Sequence, residues 1–268
     1  MLIYPDWPAP ANVHAVSSSR FGGVSKGVYD SLNLGLHVND DDKAVMQNRI
    51  CYHQLAKMPT PTLWLQQVHG IAVAELTVKS TANSTEPIIA DACITSAKQQ
   101  VCTVMTADCL PLLICDSNGL QVAAIHAGWR GLCGGIIEQT VARFPQTQQL
   151  LVWLGPAISQ AAFEVGPEVR AAFIKHDAKA ATAFLLQDQT EQTQLSQSQL
   201  SPGQLSPGQE RQVKYRADLY QLARQRLHAL GVSAIYGGDY CTYQQSELFF
   251  SYRRDGETGR MASSIWLD

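Results

Sequence analysis

The chain has 268 residues, and its 46% hydrophobic content is sufficient for a full core in one large domain or two small ones. Twenty basic and twenty-three acidic residues give a net charge of -3 without a run of Lys and Arg, which argues against a nucleic-acid partner. The amino terminus lacks the pattern of a secretory signal, and no segment approaches the ~20 apolar residues that span a bilayer. We therefore expect a cytoplasmic protein without a membrane partner, of unknown oligomeric state.

The first elements in chain order are a strand near residues 13–17 and a helix over residues 40–57. The intervening sequence is rich in Gly, Ser, Asn and Asp, so it is expected to be irregular. Loops of this length inside a compact domain are usually binding loops or disordered, and the aromatic and leucine residues of this one favour a binding loop.

Strand-like sequence dominates the next part of the chain. Residues 62–76 predict two strands joined by a turn at His69 and Gly70, and residues 87–109 contain two more strand-like runs. A hairpin follows, because short apolar runs at 110–115 and 122–125 flank turn residues that end in Gly119.

The second half of the chain mixes helices and strands. It predicts a helix over 131–144, a strand over 150–159, helices over 166–177 and 215–231, and a strand, turn and strand over 249–267. The alternation has no regular βαβ rhythm, which predicts a mixed sheet. The sequence contains neither GxGxxG nor GxxxxGK[ST], so it gives no case for a dinucleotide fold or a P-loop.

Residues 187–212 differ in composition from the rest of the chain. Gln dominates, and the pentapeptide LSPGQ occurs twice, at 200–204 and 205–209. Such a segment cannot bury enough apolar surface to order itself, so we predict a mobile low-complexity insert on the surface of a single domain spanning residues 1–268.

Cysteine usage singles out one thiol. The seven cysteines show no CxxC spacing, and Cys93, Cys102 and Cys115 lie in apolar segments, where a reduced thiol acts as a small hydrophobic side chain. Cys109 differs because it follows Asp108 at a predicted strand entry, which favours a chemical role.

Three side chains at predicted strand ends or turns form a candidate site: His69, Cys109 and His126. In an antiparallel hairpin, Cys109 and His126 both lie at the end far from the turn, on neighbouring strands. Two imidazoles and a thiolate suit catalytic zinc with an open fourth position. Without metal, Cys109 and a histidine suit a thiolate–imidazolium pair for acyl transfer. The spacing alone matches no short zinc-finger pattern, and each residue by itself is also compatible with a structural role.

Arginines supply candidates for binding an anion, since guanidinium groups suit phosphate or carboxylate. Each is also compatible with a surface salt bridge or, beside Trp129, a stacking contact. The candidates are Arg49, Arg130, Arg253, Arg254 and Arg260.

Several stretches together resemble one known family, the purine nucleoside phosphorylase family that is also labelled polyphenol oxidase, multicopper laccase-domain protein or peptidoglycan editing factor. They are RFGGVSKGVYDSLNLGLHVND, NR at 48–49, QQVHG, ADAC, TADCLPLLICD, AAIHAGWRG, WLGPAI, FEVG and FFSYRRDGETGRMASSIWL. They occur in family order over nearly the whole chain, and the pair TADCLP and HAGWRG is highly specific. The insert at 187–212 has no counterpart in the family pattern.

The resemblance implies an α+β, single-domain, four-layer αββα sandwich with mixed sheets, similar to a cysteine-hydrolase-like toxin fold. It also implies that His69, Cys109 and His126 are zinc ligands. The implied activity is phosphorolysis of adenosine, inosine, guanosine and methylthioadenosine, with adenosine deamination as a side activity. Purine nucleosides and phosphate are therefore the expected small-molecule partners.

The remaining roles are assigned as hypotheses. Asp108 is either the acid that protonates the leaving base or a residue that orients a ligand histidine. Asn33 is the candidate for binding sugar or base, and Arg49 and then Arg130 are the candidates for phosphate. The alternatives are a metal-free amidase or peptidoglycan-precursor editing hydrolase based on Cys109 and His126, a weak copper-dependent polyphenol oxidase, and a binding protein without turnover. Seven scattered histidines without HxH pairs argue against a multicopper laccase centre.

Overall fold

The computed structural model describes residues 1–78, 80, 88–187 and 213–268. Its strands are β1 (Leu2–Ile3), β2 (Val13–Ser18), β3 (Val73–Glu75), β4 (Ala92–Thr95), β5 (Cys102–Thr106), β6 (Leu110–Asp116), β7 (Val122–Ala127), β8 (Leu150–Leu154), β9 (Glu164–Val165), β10 (Phe184–Leu186), β11 (Tyr215–Ala217), β12 (Ala234–Gly237) and β13 (Met261–Leu267). Its α-helices are α1 (Asp42–Leu55), α2 (Trp129–Gly134), α3 (Ile136–Val141), α4 (Pro167–His176), α5 (Leu219–Ala229) and α6 (Tyr252–Asp255). Apart from Gln187, the predicted insert at 187–212 lies outside the described residues.

The strands form three sheets. The largest has six strands in the order β12-β8-β6-β7-β4-β3, with parallel pairs at its two edges and antiparallel pairs between them. A four-stranded antiparallel sheet has the order β1-β2-β13-β5, and a small antiparallel sheet has the order β10-β11-β9.

Strand β6 shows how the layers pack, because its alternate side chains point to opposite faces of the six-stranded sheet. Leu112 and Ile114 belong to a core shared with helices α2 to α5. Leu113 and Cys115 belong to a second core, shared with the four-stranded sheet. The six-stranded sheet is therefore covered by helices on one face and by the other sheet on the opposite face.

A third core covers the outer face of the four-stranded sheet. There Val16 and Trp266 pack with Tyr52 of α1, whose hydroxyl donates to the carbonyl of Ala262 at 3.2 Å. The order of layers is thus helix, sheet, sheet, helix. The predicted mixed α+β fold is confirmed, whereas the likeness to the toxin fold stays a prediction.

The hairpin of β6 and β7 forms as the sequence predicts. At its turn the carboxylate of Asp116 accepts hydrogen bonds from the backbone N–H groups of Asn118, Leu120 and Gln121. Gly119 adopts φ 65, a conformation that glycine reaches without steric cost. Distant residues add to these local bonds, since Asn12 donates to the carbonyl of Gly119 and the N–H of Ser117 donates to the carbonyl of Gln149, both at 2.8 Å.

Four strand or helix predictions need correction. Residues 62–68 form no strand, only an isolated bridge from Gln66 to Ile89. The predicted helix over 131–144 is broken at Gly135, whose φ of 100 ends α2. Residues 215–217 form a strand, and α5 begins only after Asp218, whose side chain accepts from the N–H of Gln221.

The fourth correction concerns the carboxyl-terminal segment. The residues after Phe249 form no first strand, because the Ser251 side chain accepts from the N–H of Arg254 and starts the short helix α6. Strand β12, at the edge of the largest sheet, was not predicted from the sequence. None of the helices in the described ranges is long and apolar enough to cross a membrane.

Candidate functional site

One end of the six-stranded sheet gathers the candidate residues. His69 precedes β3, Cys109 directly precedes β6, and His126 lies near the end of β7. Because β6 and β7 are antiparallel, with Pro111 opposite His126, the start of one strand lies beside the end of the other. Cys109 and His126 are therefore neighbours in space, as expected for the predicted hairpin.

His69, Cys109 and His126 converge, and we refer to them as the ligand trio. One possible ligand atom from each lies within 4.8 Å of the others, and the Cys109 Sγ is 3.8 Å from the His69 Nε2. The two imidazole rings meet edge to face, with centroids 4.8 Å apart. His69 is exposed, Cys109 half-buried and His126 buried, so the group is open on one side.

Asp91, which directly precedes β4, holds both histidines and is fully buried. Its Oδ1 accepts from the Nδ1 of His126 and from the backbone N–H of His69, both at 2.8 Å. Its Oδ2 accepts from the N–H groups of Val68 at 3.2 Å and Gly70 at 2.7 Å. A carboxylate on one ring nitrogen fixes the imidazole orientation and leaves the other nitrogen for a metal.

These hydrogen bonds also set the ionisation of Asp91. Burial raises the pKa of the carboxyl group, but the hydrogen bond from His126 and the backbone hydrogen bond from Gly70 outweigh it. The net effect holds the pKa of Asp91 below its usual value. The residue is therefore an anion that stabilises a nearby cation.

Cys109 and His126 shift each other's ionisation in opposite directions. Burial raises the pKa of the Cys109 thiol, but the charge and hydrogen bond of His126 and the hydrogen bond from His69 outweigh it and lower the pKa to about 6. Burial lowers the pKa of His126, but the Cys109 thiolate and the Asp91 hydrogen bond raise it to about 9. In the metal-free protein near neutral pH, the pair is a thiolate and an imidazolium.

The HAGWRG motif keeps the backbone close to the ligand trio. A Cβ atom at Gly128 would lie 2.8 Å from the Cδ2 of His69 and 3.0 Å from the Sγ of Cys109. A Cβ atom at Gly131 would lie 2.8 Å from the carbonyl oxygen of Gly70. Both glycines are needed because side chains there would displace the trio or the loop that carries His69.

A cavity of about 540 Å³ opens onto the trio. Its wall includes aromatic and basic side chains, a combination typical of sites for small polar ligands. The lining residues other than the trio include Trp129, Phe163, Tyr252, Arg130, Arg253, Arg260, His37 and Asp108.

The predicted substrate-binding residues differ in their placement. Arg130 lines the cavity, where its guanidinium carbon lies 4.6 Å from the Trp129 ring centroid. Arg49 is not among the lining residues, since it stacks on Trp64 at 4.1 Å and its Nε donates to the carbonyl of Leu34. Asn33 is fully buried and is not in the lining either.

Asn33 has a local structural task. Its Oδ1 accepts from the N–H groups of Gly35 at 3.0 Å and Arg260 at 2.9 Å, and its Nδ2 donates to Asp40 at 2.9 Å. Within the described part of the chain, Arg260 is the one cavity-lining residue to which Asn33 is hydrogen-bonded. Arg254 has contacts of its own, an ion pair with Asp255 at 2.7 Å and hydrogen bonds to main-chain carbonyls.

Asp108 lines the cavity, but both of its carboxylate oxygens are occupied. Oδ1 accepts from the Thr242 hydroxyl and Oδ2 from the backbone N–H of Arg253, each at 2.6 Å. Its backbone has φ 97, and its carbonyl accepts from the N–H of Ile158 at 2.9 Å. Asp108 thus joins three segments of the wall, while the position that orients a histidine is filled by Asp91.

Sequence reasoning assigned no role to Asp91, His37, Thr242 or Tyr252. Asp91 was visible only as part of the ADAC stretch, which reads as the entry to a buried strand. His37 and Tyr252 lie on irregular or short segments whose positions depend on the folded chain. No spacing rule connects these positions to the ligand trio.

The donor set of the trio fits a metal ion. Two imidazoles and one thiolate suit zinc and also copper, and the Asp91 carboxylate is hydrogen-bonded to His126, as is common for a histidine that binds a metal. All seven histidines lie within the described residues, and two of them belong to this trio. In the described ranges, no other group of His, Cys, Asp or Glu side chains is close enough together to hold a metal ion. We infer a metal-binding site at the ligand trio.

Two proteins of known name are similar to this chain over almost its full length. One from Escherichia coli (strain K12), called "Purine nucleoside phosphorylase YfiH", is 49% identical over 267 residues, which cover 99% of this chain and 98% of that protein. One from Haemophilus influenzae, called "Purine nucleoside phosphorylase", is 43% identical over 267 residues and covers 99% of each chain.

Solved structures share the fold. The crystal structure of a Neisseria meningitidis protein matches with a TM-score of 0.84 and 44% identity, over 100% of this chain and 99% of that one. YlmD from Geobacillus stearothermophilus matches with a TM-score of 0.78 and 29% identity, over 97% and 93%. The sequence model of the family described as "Multi-copper polyphenol oxidoreductase laccase" matches residues 14–268. The resemblance seen in the sequence motifs is therefore confirmed, and this chain belongs to the multi-copper polyphenol oxidoreductase laccase family.

Proposed function

We propose that this protein is a zinc-dependent purine nucleoside phosphorylase. The observation that carries the proposal is the convergence of His69, Cys109 and His126 at a cavity with aromatic and basic walls. The printed names of the relatives from E. coli and H. influenzae support the same reaction class. The proposed substrates are adenosine, inosine, guanosine and methylthioadenosine, together with inorganic phosphate.

The ligand trio would hold the zinc ion, with Asp91 fixing the orientation of His126 and the loop of His69. When bound, zinc supplies Lewis-acid activation of an oxygen nucleophile. The low pKa of Cys109 favours this use, because the thiolate form is the metal ligand. The choice of zinc over copper rests on the donor set with an open position, which is typical of catalytic zinc.

The cavity walls provide the rest of the chemistry. Trp129, Phe163 and Tyr252 offer aromatic surface on which a purine ring stacks. Loss of the purine leaves an oxocarbenium-like sugar, so the anionic nucleophile must be held near one face of C1′. The arginines of the wall are suited to hold it.

The same site would support adenosine deamination as a side activity, since an activated oxygen nucleophile also attacks the purine carbon that carries the amino group. The deaminase activity is measured as release of ammonia from adenosine, together with the accompanying loss of adenosine absorbance. Substitution of Cys109 should abolish phosphorolysis and deamination together, because both use the same metal site.

One observation favours a second candidate function. The thiolate of Cys109 paired with the imidazolium of His126 is also the arrangement of a cysteine nucleophile, as in an amidase or a peptidoglycan-precursor editing hydrolase. Metal analysis of freshly purified protein separates the two. Stoichiometric zinc supports the phosphorylase, whereas metal-free protein that iodoacetamide labels at Cys109 supports the hydrolase.

A copper-dependent polyphenol oxidase is the alternative that the family description suggests. The trio contains donors that copper accepts, so the test is phenol oxidation by protein loaded with copper or with zinc. Oxidation restricted to the copper-loaded form, with nucleoside phosphorolysis in neither form, would favour the oxidase.

The decisive experiment follows inosine with and without phosphate. Phosphorolysis predicts that hypoxanthine and ribose-1-phosphate appear mole for mole, and only when phosphate is present. Arsenate should replace phosphate and yield free ribose, because its sugar ester hydrolyses. Release of base at an equal rate in phosphate-free buffer would exclude phosphorolysis.

A further inference from the structure

The cavity contains three arginines that lack carboxylate partners among the described residues. Arg130, Arg253 and Arg260 line its wall, and none of them takes part in the ion pairs found in the described ranges. The carboxylate in the lining belongs to Asp108, whose two oxygens are bound to Thr242 and to a backbone N–H group. Three guanidinium groups around a cavity whose one carboxylate among the described residues is already hydrogen-bonded leave a net positive charge that suits an anionic ligand.

Arg260 is the most firmly positioned of the three. Its backbone N–H donates to the buried amide oxygen of Asn33, and its Nη1 donates to the carbonyls of Thr258 at 2.9 Å and Gly259 at 3.1 Å. Its stem packs tightly, since a Cβ atom at Gly35 would lie 2.8 Å from the Arg260 Cγ. Preorganisation of this kind lowers the entropy cost of binding a ligand.

Part of the Arg260 guanidinium remains available. Its Nε and Nη2 have no hydrogen-bond acceptor within the described part of the chain, while Nη1 is used by the two carbonyls. Arg260 also interacts electrostatically with Cys109 and Asp108, which places its charge beside the ligand trio. A free guanidinium edge beside a metal site suits a tetrahedral oxyanion.

The other two arginines are placed to assist. Arg253 lies over Phe163, with 5.2 Å from its guanidinium carbon to the ring centroid, and its Nη1 donates to the carbonyl of Glu164 at 2.7 Å. Arg130 is exposed and stacks on Trp129. Both guanidinium groups therefore pack against aromatic rings of the wall, and both residues line the same cavity.

We infer that Arg260 is the principal residue of a subsite for inorganic phosphate, with Arg253 and Arg130 completing it. The inference rests on the proposed phosphorolysis and names the place of its second substrate. It replaces the sequence hypothesis for Arg49, whose guanidinium is engaged by Trp64 and by the carbonyl of Leu34. Asn33 then acts on the substrate indirectly, by holding the backbone of Arg260.

The test measures binding of inorganic phosphate alone to the purified, zinc-loaded protein by titration calorimetry. Arg260→Gln should weaken phosphate binding by at least about tenfold, the effect expected for loss of charge-assisted hydrogen bonds. Arg260→Lys keeps the stem and the charge, so it should show a smaller loss. Arg143→Gln removes an equal charge from an exposed position outside the cavity lining and should bind phosphate like the unmodified protein.

The outcomes separate the subsite from the proposed reaction. The subsite would be overturned if folded Arg260→Gln binds phosphate as tightly as the unmodified protein, or if Arg143→Gln loses as much phosphate affinity as Arg260→Gln. It would also be overturned if only Arg49→Gln loses affinity, or if the unmodified protein does not bind phosphate. If Arg260→Gln does not fold, as judged by near-UV circular dichroism, Arg260→Lys decides by the same comparison. Base release without phosphate overturns the reaction instead, while an Arg260-dependent phosphate affinity would still establish the subsite.

Discussion

The carboxylate of Asp91 is bonded to the ring of His126 through Oδ1 and Nδ1, 2.8 Å apart, and both side chains are buried. The same carboxylate accepts the backbone N–H groups of residues 68–70, so one anion orients the His126 ring and the loop that carries His69. The geometry of the ligand trio therefore depends on a residue outside it.

We expect Asp91→Asn to weaken zinc binding by about 10- to 100-fold, because an amide replaces the carboxylate that orients His126. Zinc affinity is measured by competition with a chromophoric chelator. Asp177→Asn is the matched control, since Asp177 also accepts a backbone N–H group, that of Lys179, at the start of a remote helical turn. A zinc affinity in Asp91→Asn equal to that of the control would contradict the role of Asp91.

Cys109→Ser should lose both bound zinc and catalysis, because a serine hydroxyl is a poor metal ligand compared with a thiolate. Elemental analysis of the purified variant and an inosine assay measure the two effects together. Loss of activity with zinc still fully bound would show that Cys109 is not a ligand and would favour its role as a nucleophile.

In the metal-free protein, alkylation of Cys109 by iodoacetamide should accelerate as the pH rises through about 6, since the thiolate is the reactive form and the pKa of the thiol is about 6. His126→Gln removes the main favourable charge and should move this midpoint to higher pH. Mass spectrometry of the labelled peptide gives the rate, with Cys109→Ser as the background. A midpoint near the ordinary thiol value in the unmodified protein would be inconsistent with the ion pair.

Substitutions at Asp108 distinguish a positioning role from acid catalysis. Asn at this position can still accept from the N–H of Arg253 and can donate to the Thr242 hydroxyl, so Asp108→Asn should keep kcat within about tenfold and keep its pH profile. Asp108→Ala leaves both partners unbonded and should reduce the free energy of unfolding by about 1–3 kcal/mol or more. A loss of ~100-fold or more in kcat of Asp108→Asn, with the acidic or basic limb of the pH profile removed, would identify Asp108 as the proton donor.

Gly128→Ala tests the close approach of the backbone to the ligands. Gly128 has φ -67, which alanine also adopts, so the effect of the change is steric and falls on the His69 ring and the Cys109 Sγ. We expect reduced zinc content with secondary structure retained by circular dichroism. Gly134→Ala, at the end of the helix that starts directly after Gly128, meets only the Ile71 side chain, at 3.0 Å, and should retain zinc.

The sequence was sufficient to predict that Cys109 and His126 lie close together, because a hairpin follows from local rules. The family resemblance implied that His69 joins them as a metal ligand, and the ligand role of all three residues stays a prediction. The hairpin that brings Cys109 and His126 together is specified by short apolar runs and by a turn with Asp116 and Gly119. The order of helix and sheet layers was not predictable from these local rules. It was predicted from the family resemblance, and that prediction is confirmed.

The anion-binding residues were harder to predict for a physical reason. Arg49 and Arg260 have the same chemistry in the sequence, and only tertiary contacts decide where each guanidinium lies. Trp64 holds the first away from the cavity, whereas Asn33 and Gly35 fix the second beside it. The strand predicted over residues 62–68 does not form, and a tertiary contact is again involved, since the N–H of Val68 donates to the carboxylate of Asp91, which is distant in sequence.

Strand β6 is buried on both faces, so its run of apolar side chains would be accommodated nearly as well after a shift of one residue along β7. The turn closed by Asp116 removes that ambiguity, and it lies at the far end of the strand, roughly 20 Å from Cys109 at ~3.3 Å per residue. The alignment of thiol and imidazole is thus decided remotely, by a solvent-facing loop with no part in the chemistry. Screens for inactive variants should consequently yield substitutions in this loop. The variant proteins would be folded, but the pairing of β6 with β7 would be shifted in register.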